Sequence, residues 1–265
     1  MNIKARLLLP PKLVYGKGRN MSPRDGKWNL RGLQFLRPST IKSWALVYLP
    51  LMRPIEQGAL DRFCGEMVTS FRSCGMNVPA QGPATLIGNA EGHMPSIVNN
   101  ACEAATRKFG APPDVIFFVL QGSSSQTYSF VKMGLDVKMG IASQVMLQEK
   151  ALTGRGTAQY LANIAMKVNV KLGGTNCMLD EPLFRSGRFM LIGGDISHAS
   201  ASALRATAPP PSCAALVGTW DRDCASYTAV AAMQESTLAK IAAIKPMFAE
   251  LLARYVEKND GGRPR

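Results

Sequence analysis

Six consecutive apolar residues, Val115-Ile-Phe-Phe-Val-Leu120, constrain this chain more than any other stretch. Pro112-Pro-Asp stands before them and Gln121-Gly-Ser-Ser-Ser after them, so turn-forming residues bound the run on both sides. A run this short, rich in β-branched and aromatic residues, reads as a buried strand. Around it the sequence alternates. Residues 44–49 are apolar and strand-like, and Leu60, Phe63, Cys64, Met67 and Phe71 recur at helical spacing up to Gly75. A short strand is expected at 78–80 and a helix over 96–109, stopped by Gly110. A short helix from about Thr127, a strand over 141–147 and a helix from Thr157 complete the series. Strands and helices alternating with short links predict an α/β fold, a Rossmann-like unit whose parallel sheet is covered by helices. Ligands of such sheets sit beyond the C-terminal ends of the strands, which singles out the loop after Leu120.

That loop, made of Gly122, Ser123, Ser124, Ser125, Gln126 and Thr127, offers small polar side chains. Its backbone N–H groups, at a strand-to-helix turn, can receive an anion or a base edge. Tyr128 and Lys132 follow four residues apart, on one face of the helix expected there. Taken alone, Tyr128 reads either as a half-buried packing aromatic with its hydroxyl in water or as a stacking platform. The later helix, with Thr157 as its expected N-cap, has an apolar face of Leu161, Ile164, Ala165 and Val168 and stops at Gly173 and Gly174. Lys167 and Lys171 lie one turn apart on another side of it, with Asn163 above them. Two like charges so placed repel by about a few tenths of a kcal/mol, and an anion bound between them reverses the sign. On spacing alone, a solvated basic face is the commoner fate of such a pair.

The net charge of +13 is unevenly spread. Residues 1–40 hold nine Lys/Arg against one acid, residues 41–180 twelve against nine, and residues 181–265 ten against eight. A basic balance points to a polyanionic partner. Because most of the excess lies in the first forty residues, function in the middle has to rest on a few placed lysines. The first forty residues, punctuated by Pro and Gly, show no sustained period and are expected to be a linker. The six cysteines form no Cys-x-x-Cys pair and there are two histidines, which argues against a zinc site. Reduced thiols suit a cytoplasmic setting, with the nucleus as the alternative. The longest apolar runs fall far short of the ~20 residues of a membrane span, and no secretory apolar segment follows Met1, so no membrane is expected. Gly154-Arg-Gly156 lacks the third glycine of a dinucleotide fingerprint and there is no Walker lysine motif, so no small-molecule cofactor is expected.

Three motifs, Tyr128-x-x-x-Lys132, Ser143-Gln-Val-x-x-Gln148 and Lys167-Val-Asn-Val-Lys-Leu-Gly-Gly-Thr-Asn176, occur in an order that resembles the MID domain of eukaryotic Argonautes, fungal members more than animal ones. The resemblance implies that Tyr128 stacks on the first base of a guide RNA and that Lys132, Gln144, Lys167 and Lys171 hold its 5′-phosphate. It also implies that residues 122–127 sense the first base, although they carry serines where animal members have Lys-Thr-Pro. The physics agrees. A phosphate monoester carries close to two charges, lysines meet it as point charges, and base–aromatic stacking contributes about 1–3 kcal/mol. Leu9-Pro-Pro-x-Leu-x-Tyr-Gly16 followed by Pro23-x-x-Gly-x-Trp-Asn29 resembles the second linker of the same family. The expected layout is therefore a linker over 1–40, a MID domain over 41–175 and the first part of a PIWI domain over 176–265. The implied partner is a 5′-phosphorylated small guide RNA acting in RNA silencing, with a target RNA in the longer protein. Holding the guide 5′ end calls for no cofactor.

Asp180-Glu-Pro-Leu-Phe reads as a connector, and Phe189-Met-Leu-Ile-Gly-Gly-Asp195-Ile-Ser-His198 as an apolar strand ending in an acid. Two strands over 214–220 and 227–233 and a helix over 238–256 follow, the helix with Leu238, Ile241, Ala242, Phe248, Leu251, Leu252 and Tyr255 apolar. This β-β-β-α order resembles the truncated start of an RNase H-like PIWI domain, an incomplete sheet with an exposed edge. In that resemblance Asp195 is the first catalytic and metal-binding carboxylate. Taken alone, an Asp there reads as a residue closing a strand at a turn. Two-metal phosphodiester hydrolysis needs several carboxylates around two Mg²⁺ ions. Asp195 is a single candidate, because the auxiliary glutamate of the family falls on Ala239 and Glu235 is out of register. The expectation is a guide-binding chain that does not cleave RNA by itself, with Mg called for only where the PIWI site is complete. The alternative is part of a guide-directed, Mg-dependent endoribonuclease whose remaining catalytic residues lie outside this chain.

Overall fold

The computed structural model describes residues 4–51, 55–89, 92–152, 157–181, 189–221 and 223–264. They divide into two compact units, Val14–Cys177 on one side and Met1–Leu13 with Met178–Arg265 on the other. The first unit is built on four parallel strands, β1 (Trp44–Leu49), β2 (Ala84–Ile87), β3 (Val115–Leu120) and β4 (Ala142–Leu147), in the order β2-β1-β3-β4. All six residues of β3 and all six of β1 are buried, as two central strands covered on both faces must be. Their alternation divides the core. Ala45, Val47, Ile116 and Phe118 meet Val98, Ala101 and Ala105 of helix α2 (Met94–Phe109). On the opposite face Trp44, Phe117 and Phe71 pack together, Trp44 edge-on to Phe117 with centroids 5.7 Å apart. Phe71 lies on helix α1 (Gln57–Ser73), which Gly75 follows at a φ of 92°.

The second strand lies farther along than the sequence implies. Residues 78–80 are not a strand, and pairing with β1 begins at Ala84. Pro79 and Pro83 bracket the intervening segment and have no N–H to give to a ladder. Helix α2 starts at Met94 rather than at residue 96, with Pro95 in its first turn, where no N–H is needed. Residues 14–40 fold onto this unit. Tyr15, Leu33 and Phe35 are buried, and the Phe35 and Arg37 N–H groups donate to Cys74 O and Thr175 O at 2.8 and 2.9 Å.

The second unit is an antiparallel meander, β5 (Ile192–Ser197), β6 (Ser212–Thr219) and β7 (Tyr227–Gln234), with β6 in the centre. Helix α6 (Ile244–Lys258) lays Met247 and Leu251 against Leu216. It begins six residues later than expected because of Pro246. That ring is tolerated in a first turn but clashes with a preceding helical turn. The buried stripe is Met247, Leu251 and Tyr255, and Phe248, apolar in the sequence pattern, is 46% exposed. Asp195 does not end its strand. The ladder continues to Ser197 opposite Cys213, so Asp195 sits inside edge strand β5, opposite Ala215. No described helix is long and apolar enough to cross a membrane. Gly154-Arg-Gly156 and most of the expected connector after Asp180 lie outside the described residues.

Candidate 5′-phosphate site

Two helices converge on the first residues of β4, and the loop after β3 leads into one of them. After β3 the loop is shorter than the sequence implies. Ser124 Oγ accepts from Thr127 N at 3.2 Å and caps helix α3 (Ser125–Val131), so Ser125, Gln126 and Thr127 already belong to its first turn. The chain then continues as a π-helix through Lys132–Met139 to Gly140, at a φ of 67°. Val131 and Leu135 turn into the core, leaving Tyr128 and Lys132 on the outer side. Tyr128 is 49% exposed, and Lys132 Nζ lies 5.8 Å from its ring centroid. The tyrosine, Ser123, Ser124, Ser125 and the edge of β4 at Val145, Met146 and Leu147 line a cleft of about 570 Å³.

The lysines come together on Ser143. Lys132 Nζ donates to Ser143 O and Ser143 Oγ, both at 2.8 Å, and to Asp136 Oδ2 at 3.0 Å. Asp136 Oδ1 accepts from Ser143 N at 2.7 Å, which fixes strand and π-helix to each other. Lys171 Nζ, from the last residue of helix α5 (Thr157–Lys171), which follows the short helix α4 (Gln148–Ala151), donates to the same Ser143 carbonyl at 2.6 Å and to Gln144 Oε1 at 2.9 Å. Gln144 is buried, and its amide is held by donation to Val145 O at 2.8 Å. Thus two ammonium groups share one carbonyl oxygen, with Gln144 and Tyr128 on either side. Lys167 is exposed on the turn before Lys171, and its charge acts on Lys171. The Lys171 stem is exposed although its ammonium is part-buried against Ser143. Burial first, then the Lys132 and Lys167 charges, push its pKa from 10.5 down to about 8, against the opposing pull of Asp136.

Asn169 holds the end of α5 in place. Its buried carboxamide accepts from Ser39 N at 2.7 Å and donates to Asn176 Oδ1 at 2.9 Å. A Cβ on Gly174 would run into that carboxamide, so Asn169 and Gly174 have to occur together. Thr157 is the first residue of α5 rather than its N-cap, and its buried hydroxyl makes no hydrogen bond among the described residues.

Of the residues that the sequence singles out, all in the first unit, Lys132, Gln144 and Lys171 meet at Ser143, Tyr128 stands beside Lys132, and Lys167 lies one turn before Lys171. The sequence does not single out Asp136, and it names Ser143 only within a motif, without a role. The first was open to inference from its four-residue spacing to Lys132. Nothing in the sequence marks a backbone carbonyl as a meeting point. Asp195 stands apart from this set, in the other unit. Its Oδ1 accepts from its own neighbour Ile196 N at 2.8 Å on an exposed strand. Among the described residues no group of three His, Cys, Asp or Glu side chains comes together to hold a metal ion. A single exposed carboxylate does not fit a two-Mg²⁺ centre.

Family models and a curated relative give the same family, and solved structures share its fold. The Piwi domain model matches residues 115–265, and the model for the Mid domain of argonaute matches residues 22–103. The argonaute protein of Schizosaccharomyces pombe is 30% identical over 259 residues, which span 96% of this chain and 30% of that protein. This chain spans less than a third of the curated relatives that it matches. The crystal structure of the C-terminal lobe of a budding yeast Argonaute superposes with a TM-score of 0.80 at 19% identity, over 98% of this chain and 55% of that one. The crystal structure of Kluyveromyces polysporus Argonaute with a guide RNA gives 0.79 at 18% identity, over 98% and 33%. At these identities the two structures show a shared fold.

Proposed function

The chain belongs to the Argonaute family, and on that premise we propose that its Val14–Cys177 unit anchors the 5′-phosphate and first base of a small guide RNA in RNA silencing. The observation that carries this reading is the convergence of Lys132 and Lys171 on one Ser143 carbonyl. A carbonyl supplies partial negative charge to two full positive ones, and Asp136 offsets only one of them. A phosphate dianion against the pair, with Lys167 behind it and Gln144 donating or accepting as needed, restores the balance. Gln144 and the part-buried Ser143 contacts keep the ammonium groups directed before the ligand arrives, so little side-chain entropy is lost on binding.

Tyr128 supplies the base platform. Its exposed ring walls the cleft beside Ser123 and Ser125, and Lys132, with its Nζ over that ring at 5.8 Å from the centroid, links the phosphate and base positions. Ser124 Oγ is spent on capping α3. The loop side chains left to meet a first base are then small hydroxyls that both donate and accept.

The test compares a short RNA bearing a 5′-phosphate with its 5′-hydroxyl counterpart at fixed salt, since a chain of net charge +13 binds RNA non-specifically. The expected result is tighter binding of the phosphate form, lost in Lys132→Ala and in Lys171→Ala. Equal binding of both forms by the unaltered chain refutes the reading. The alternative, a guide-directed and Mg-dependent endoribonuclease, draws on Asp195 alone among the described residues. Its check is target cleavage at one fixed position that disappears in Asp195→Ala.

A further inference from the structure

The largest charge asymmetry in the chain, in residues 1–40, plays no part in the Ser143 site. It builds a surface of its own from three tight turns. In the first, Tyr15 N donates to Arg19 O at 2.8 Å, and Lys17 is held at the tip with a φ of 58°. In the second, Arg24 and Lys27 exchange both backbone hydrogen bonds, at 3.0 and 2.9 Å, around Asp25 and Gly26. Both of those residues have positive φ, 49° and 69°, as a primed two-residue hairpin turn requires. In the third, Leu33 N donates to Leu30 O at 3.0 Å, which presents Arg31.

The turns are fastened to one another. Arg19 Nη1 donates to Gly32 O at 2.9 Å, joining the first to the third, and Trp28 Nε1 donates to Tyr15 OH at 2.7 Å, joining the second to the first. Tyr15, Leu30, Leu33 and Phe35 are buried beneath them. Lys17, Arg24, Lys27 and Arg31 are all exposed, and Asp25 is the one acid of residues 14–40. Trp28, its N–H already engaged by Tyr15, still exposes 45% of its surface among these cations.

We propose that this surface is a second RNA contact, which takes the phosphate backbone of a single strand on Lys17, Arg24, Lys27 and Arg31 and a base on the Trp28 ring. Four cations displayed on rigid turns match a polyanion without reading its sequence. An exposed indole whose polar atom is satisfied offers an aromatic face, the feature that distinguishes a single-stranded nucleic acid from other polyanions. An acidic protein segment would meet the cations but has no use for the ring.

The test uses the full chain and an RNA with a 5′-hydroxyl, so that the phosphate site contributes nothing to it. The neutralising variant is Lys17→Asn with Arg24→Gln, Lys27→Gln and Arg31→Gln. Asn suits the left-handed backbone at position 17. Each phosphate contact on single-stranded RNA adds about −0.7 to the slope of log affinity against log salt, so the variant's slope is expected to be shallower by about 3. Trp28→Leu is expected to weaken single-strand binding about fivefold or more and to leave blunt duplex binding unchanged. The charge-preserving variant Arg24→Lys, Lys27→Arg and Arg31→Lys is expected to keep the slope. The preference for a 5′-phosphate over a 5′-hydroxyl stays as it is in all three, which separates this surface from the Ser143 site. An unaltered slope in the neutralising variant overturns the proposal. So does displacement of the RNA by a polyglutamate peptide at equal charge, which would assign the surface to an acidic protein.

Discussion

Phosphate binding at Ser143 should take up a proton at mildly alkaline pH, because Lys171 starts from a pKa of about 8. With that pKa, the charged fraction of Lys171 falls from about nine-tenths at pH 7 to about one-tenth at pH 9. A phosphate dianion against the ammonium opposes the burial and the Lys132 charge that depress it, returning the bound-state pKa toward the ordinary lysine value of 10.5. Affinity for a 5′-phosphorylated RNA should therefore fall about tenfold between pH 7 and pH 9 at constant ionic strength. The phosphate itself is doubly charged across that range and adds no slope of its own. Fluorescence anisotropy with an RNA of adenine and cytosine, whose bases do not titrate there, reads the effect. Lys171→Arg carries a permanent charge and should flatten the profile. A flat profile in the unaltered chain, or an equal slope in the arginine variant, refutes the reasoning. Without ligand the same shift acts on folding. The unfolded chain holds a proton that the folded one has released, so stability should rise with pH from about 8 to 10.5.

Gly174→Ala should destabilise the first unit by about 1–3 kcal/mol, since the new methyl can be seated only by moving the Asn169 carboxamide off Ser39 and Asn176; the urea midpoint measures it. Leu251→Ala should cost the second unit about 2–5 kcal/mol by opening a cavity against Leu216 and Met247, read from the fluorescence of Trp220, which lies 5.5 Å beneath Lys258 Nζ. Tyr128→Ala should weaken RNA binding by about 1–3 kcal/mol while Tyr128→Phe keeps most of it, because the ring face and not the hydroxyl is the proposed platform; titration of both variants with one RNA decides.

The parallel sheet was legible because its central strands leave few alternatives. Val115-Ile-Phe-Phe-Val-Leu120 is too short for a helix and apolar on both faces, and a strand buried on both sides belongs inside a covered sheet. The edge was less legible. Strand β2 buries one of its four residues and follows a segment broken by two prolines, so local pattern placed it several residues early. The start of α6 failed in the opposite sense. Apolar residues from Leu238 continue a helical period, yet Pro246 sets the boundary by sterics, and the period before it is spent on loop packing such as that of Ile241. Hydrophobic period reports burial, and burial is not confined to regular elements.

The site shows the same division between what side-chain type encodes and what only folding brings together. Tyr128, Lys132, Lys167 and Lys171 stand out because charge and aromaticity at helical spacing are visible in a sequence. Their relation to one another is not. Thirty-nine positions separate Lys132 from Lys171, and they meet through a backbone carbonyl, a group that every residue carries. What selects Ser143 is its position in β4, opposite Ile116 at the end of the ladder nearest Asp136, together with the π-helix that lets Lys132 reach back across that strand. Asn169 and Gly174 contribute in the same indirect way. Neither touches the lysine cluster, but each is needed for α5 to end where Lys171 can reach Ser143. A motif that mixes lysines with a buried asparagine and two glycines therefore encodes one proposed phosphate contact and the means of positioning it, and Asn169→Ala should lower phosphate affinity although Asn169 itself makes no contact with the lysines.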